Sequence, residues 1–143
     1  MILIPPSKVI QQYLLDMGVG VVPGTGDWQM FISHLPDQPN NAACVYDLDV
    51  VADGRVSNGE RIEHPACQIR VRGKDYSTAW SKGIEVRDAL DAIRNTVVVV
   101  VADNFLVHNF MRTSSLIPLG VDPDTRLVNF TLNGEMTVSL STP

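Results

Sequence analysis

An α+β fold, with a mixed, mainly antiparallel β-sheet packed against one long and one short helix, is the architecture this sequence predicts. Three observations lead to it. Two stretches repeat their apolar residues at helical spacing, whereas several others alternate them in twos. Clusters of Gly, Pro, Asn and Asp separate the alternating stretches. Finally, 143 residues at 45% hydrophobic and 19% charged are ordinary globular composition. A chain of that length buries about 68–70% of its unfolded surface without needing a disulfide or metal. A single domain over residues 1–143 is expected.

Ser7 is placed to cap a first helix that runs to Met17. Val9, Ile10, Tyr13, Leu14 and Met17 form its apolar stripe and Gly18 its stop. Gly18–Asp27 is a glycine-rich connector. Trp28, Met30 and Ile32 then alternate with Gln29, Phe31 and Ser33 as a strand. Pro36–Asn41 is a turn region, followed by a strand at Ala43–Asp47. From Asp49 to Glu63 the chain is polar and carries Asp53-Gly54 and Asn58-Gly59. That segment, 49–63, reads as a projecting loop or a hairpin arm.

In Ala66–Gly73, Cys67, Ile69 and Val71 point one way and Gln68, Arg70 and Arg72 the other. Lys74–Ile93 returns to helical period through Tyr76, Ala79, Trp80, Gly83, Val86, Leu90 and Ile93, with Asp75 or Ser77 as cap. The last third reads as β. Val97–Val101 suits a strand buried on both faces, with a turn at Ala102-Asp103-Asn104 and a strand at Phe105–Met111. Leu116–Leu119 and Leu127–Thr131 flank a turn, and Met136–Leu140 reads as a separate short strand.

The chemistry-bearing residues form no catalytic, metal or cofactor constellation. The glycines at 18–26 follow a helix and precede a strand, without the Lys of a phosphate loop. His64 and Cys67 stand three apart in a strand and so face opposite sides. Asp47, Asp49 and Asp53 break the calcium-loop register, since Val51 holds the fifth position and Asn58 the twelfth. The three histidines accompany no Gly-x-Ser-x-Gly elbow. Cys44 and Cys67 lie in apolar runs and read as buried thiols. Tyr76 and Trp80, four apart on a helix, read as core packing, with an aromatic platform as the sharper alternative. Eleven basic against sixteen acidic residues, a net charge of −5, argue against a grip on nucleic acid. The longest apolar run, Val97–Ala102, falls far short of the roughly 20 residues of a membrane span.

The order of elements carries more. Gln68-Ile69-Arg70-Val71-Arg72-Gly73 leads into Tyr76 and Ala79, and Leu119-Gly120-Val121-Asp122 leads through Arg126 to Asn129-Phe130. This layout, taken over essentially the whole chain, resembles the tail terminator proteins of long-tailed bacteriophages, a family also described as minor capsid or tail completion proteins.

That resemblance implies a hexameric ring that caps the tail tube, ends its polymerisation and joins the tail to the head connector or stopper protein. DNA would pass through the ring without specific binding. The protein would sit in the virion at the head-proximal end of the tail, after assembly in the host cytoplasm. It also implies no enzymatic activity and no cofactor. Within that picture Arg55, Arg61, Arg70 and Arg72 are the candidate assembly contacts. Asp122 and Asp124 are the candidates for an acidic lumen wall, because basic side chains there would hold the passing phosphates. A head-side connector or adaptor subunit, and a small ligand-binding or enzymatic domain, are the other readings. Ring stoichiometry separates the first from a terminator, and a deep apolar pocket would favour the second.

Overall fold

The computed structural model describes residues 4–55 and 61–141, with side chains described at 4–48 and 62–139. Helix α1 spans Pro6–Asp16 and helix α2 Tyr76–Asp91. The strands are β1 (Gln29–Ile32), β2 (Ala42–Arg55), β3 (Arg61–Gly73), β4 (Arg94–Val100), β5 (Asp103–Arg112), β6 (Ile117–Val121) and β7 (Val128–Ser141). They make one sheet in the order β1-β2-β3-β7-β5-β4, with β6 beside β5 on the same flank of β7. Every pairing is antiparallel except β1 with β2. The expected α+β class is therefore observed. The helices differ less than one long and one short, at sixteen residues against eleven.

Both helices lie on one face of the sheet. Helix α1 packs on β1, β2, β3 and β4, and α2 on β3, β5 and β7. The alternation read from the sequence supplies the inner layer: Val45, Ile69, Leu132, Phe130, Met136 and Val138 are buried there with Val9, Ile10 and Leu14 of α1. The Tyr13 hydroxyl crosses between the helices and donates to the Ala89 carbonyl at 2.6 Å.

Four local expectations are corrected. Ser7 is not the cap of α1. Pro5 occupies the cap position without a side-chain bond, and Pro6 starts the helix where its missing N–H costs nothing. Ser7 is instead buried in the first turn, donating from its amide and hydroxyl to the Asp47 carboxylate at 2.8 and 2.7 Å. For α2 the cap is Asp75, whose carboxylate accepts from the Thr78 amide at 2.7 Å.

Strand β4 is not buried on both faces. The helices cover only one face of the sheet, so Val98 and Val100 enter the core while Val97 and Val99 are 56% and 51% exposed on the other. Val101 lies beyond the strand, and the turn falls one residue early, with β5 starting at Asp103. Finally, 128–131 and 136–140 belong to one fourteen-residue strand, β7. Gly134 at its middle is a close approach rather than a turn, because an added Cβ would stand 2.2 Å from the Phe110 ring. The pairing of β2 with β3 runs on to Arg55 opposite Arg61, so strand backbone enters segment 49–63 from both ends. The tip, 56–60, lies outside the described residues.

Candidate assembly interface

The face of the sheet away from the helices is polar. Alternation places Tyr46 and Cys44 of β2, Gln68, Arg70 and Arg72 of β3, and Asn129, Thr131 and Asn133 of β7 on it. Cross-strand bonds stitch the far end of this face. Gln68 meets Asn133 at 3.1 Å, His108 meets Ser139 at 3.2 Å and His64 meets Thr137 at 3.1 Å. At the other end the face dips into a concavity of about 380 Å³. Its floor is Tyr46, Arg70 and Arg72. One wall is the segment after β1, with His34 and Asp37, and the other is Leu119 of β6 with Asp122 of the β6–β7 turn.

The two arginines behave differently. Arg72, only 8% exposed, spends its guanidinium on main-chain carbonyls, donating to Pro39 at 2.6 Å and Asn40 at 3.2 Å. Burial pulls its pKa below the ordinary value, while Asp37, Tyr46 and Asp122 pull the other way. Arg72 therefore fastens the segment before β2 to the sheet. Arg70 has no such employment. Its guanidinium lies over the Tyr46 ring at 5.7 Å, and its Nε is buried without a hydrogen-bond partner among the described residues. Burial pushes both the Cys44 thiol and the Tyr46 phenol above their ordinary pKa values, so neither neighbour neutralises it.

Asp122 closes the turn. Its carboxylate accepts from the Asp124 and Thr125 amides at 2.9 and 3.3 Å, and its carbonyl from the Arg126 amide at 2.8 Å. The structure thus brings Arg70, Arg72 and Asp122 to one concavity, although sequence reading separates them into contact and lumen residues. Asp124 lies exposed on the same turn. Arg55 and Arg61 face each other as backbone partners at the far end of the β2–β3 ladder; their side chains lie outside the described ones. Sequence reading missed Tyr46, His34 and Asp37 as neighbours of Arg70. The sole signal was the parity of Tyr46, which puts it on the same face as Cys44.

Two apolar surfaces are also open. One is the Val97–Val99 stripe of β4. The other is an aromatic pair, Tyr76 and Trp80, 57% and 41% exposed, with rings 6° from parallel and centroids 6.3 Å apart. Both stand edge-on to the buried Phe130, at 5.2 and 5.7 Å. The expectation of plain core packing is therefore corrected: both rings touch the buried Phe130 in T-shaped contacts yet stay largely open to solvent.

Comparison with known proteins agrees with this picture. A family described as bacteriophage tail terminator protein matches residues 10–114. No curated protein matches the chain. Among solved structures, a chain of the virion of a native gene transfer agent particle shares the fold. It aligns with a TM-score of 0.57 at 14% identity, over 94% of this chain and 95% of that one.

Proposed function

The chain belongs to the bacteriophage tail terminator family, structural proteins of the virion rather than enzymes, and on that premise we propose that six copies close into a ring that caps the tail tube. Such a ring ends tube polymerisation and presents its other face to the head connector or stopper protein, with DNA passing through. The similarity of fold to a gene transfer agent virion chain supports a place in the particle.

The observation that carries this reading is that the sheet is open and its two edges differ. Strand β1 is a four-residue edge paired with β2 and covered on its other side by a single parallel bridge from Val21 to Gln29, whereas β4 is a seven-residue edge with exposed Val97 and Val99, paired only with β5 among the described residues. A ring closes through unlike patches that meet head to tail, which is what unlike edges provide. Arg70, with Arg55 and Arg61 of the hairpin at 49–63, serves as a subunit contact in this reading, while Arg72 holds the wall beside it and Asp124 keeps the lumen side acidic. Sedimentation velocity over a wide concentration range should show a hexamer or a monomer–hexamer equilibrium. A monomer at every concentration, with tube protein present, would overturn the ring.

A further inference from the structure

We propose that the concavity around Arg70 is a receptor for a single carboxylate, supplied by an acidic side chain of a second copy of this chain. The carboxylate follows from the geometry; the second copy rests on the ring reading above.

Arg70 is a cation prepared for an acceptor and lacking one. Lys82, Arg87 and Arg112 each reach a carboxylate of this chain, at 3.0, 2.9 and 2.8 Å. Arg70 reaches none among the described residues, and its Nε–H is desolvated without compensation. The Arg70 guanidinium carbon stands 5.7 Å from the Tyr46 ring centroid, a cation–π contact that restrains the fork before a ligand arrives. A planar fork of parallel N–H donors matches the two oxygens of a carboxylate.

The rim selects among anions. Asp37 and Asp122 flank the concavity and act electrostatically on Arg72. These carboxylates act on Arg72, which leaves Arg70 as the cation open to an incoming group. A lone carboxylate that enters between them meets Arg70 and leaves the rim acids to polar or basic neighbours on its own chain. A nucleic-acid strand brings further phosphates with the first and would set them against those rim acids. The mostly polar lining likewise does not suit an apolar small ligand.

The test has two arms. In the first, the Arg70 Nε–Hε resonance is followed by nitrogen-15 NMR and assigned by its loss in Arg70→Lys. N-acetyl-glutamyl amide should shift it saturably, and a single-stranded oligonucleotide should not. No shift with the glutamyl probe, or a shift with the oligonucleotide alone, overturns the proposal. The second arm compares self-association of the wild type, Arg70→Gln and Arg70→Lys by sedimentation. Arg70→Gln should weaken association at least tenfold with an unchanged unfolding midpoint, and Arg70→Lys should recover only part of it. Equal assembly of wild type and Arg70→Gln overturns the second-copy assignment. A wild type that never assembles defeats the ring reading itself, and the glutamyl titration still decides the carboxylate site.

Discussion

Gly73 lies directly beneath Ala79: a Cβ added to Gly73 would stand 2.9 Å from both the Ala79 Cβ and its amide nitrogen. The Arg-Gly-x-x-Tyr-x-x-Ala junction is therefore a packing device that lets β3 pass under the first turn of α2. Because backbone atoms form the obstacle, no side chain can swing aside. Gly73→Ala should destabilise the protein by about 1–3 kcal/mol through overpacking. Urea unfolding checks this, and an unchanged midpoint would mean that the helix simply shifts.

Ser7 and Asp47 make a second such pair, forty residues apart in sequence. Asp47→Ala removes the acceptor for two donors of a fully buried serine, so a loss of about 1–3 kcal/mol is expected. Asp47→Asn, with one acceptor oxygen left, should lose less. If the two variants unfold at the same denaturant concentration, the carboxylate is not what holds α1 to the sheet.

Stability should fall in alkali. Burial, reinforced by the Asp47 charge, pushes the Cys67 thiol from 9.0 up to about 12. A folded-state pKa above the unfolded one means that the native protein keeps its proton longer. The contribution is complete below about pH 9 and is lost as pH rises towards 12, at about 1.4 kcal/mol per pH unit for one group. Burial shifts Tyr13 in the same direction. Unfolding free energies measured between pH 8 and 11 should decline, and Cys67→Ala should decline less steeply. Parallel slopes in the two proteins would remove Cys67 from the account.

The β4 edge separates folding from assembly. Val97 and Val99 point away from the core, so replacing both by Lys should change stability by no more than about 0.5 kcal/mol per site. The same change places two charges on an edge that the ring reading covers. Self-association should therefore be lost while thermal unfolding is retained. Normal assembly of the double variant would take β4 out of the interface.

The hairpin can be tested in the same manner. Shortening Asp53–Asn58 should leave the fold intact, because the described core takes its β2 and β3 residues from Ala43, Val45, Cys67, Ile69 and Val71, away from that tip. Assembly with the neighbour or the tube protein should suffer. Infectious tails built from the shortened protein would reduce the segment to a linker.

The fold class was legible because its signals are local. The spacing of Val9, Ile10, Tyr13 and Leu14 needs only the helical period, and that of Cys67, Ile69 and Val71 only the pleat. The elements that were misread share one cause. Val97–Val101 looks buried on both faces because a run of valines says nothing about how many layers flank it. Asn133-Gly134 interrupts the apolar alternation, and only the Phe110 ring shows why glycine is needed there. Ser7 looks like a cap until Asp47 is brought beside it.

The candidate site shows the same division. The sequence by itself determined that Arg70 and Arg72 share a face of β3, that the chain is acidic, and that no catalytic set is spaced for chemistry. Only the tertiary structure decided that Arg72 is consumed by the carbonyls of Pro39 and Asn40 whereas Arg70 is left over Tyr46 with a buried, unpartnered Nε. Alternation along a strand is written in the order of residues. What neutralises a charge is set by groups within a few ångströms in space, and here those come from three stretches of chain besides β3 itself.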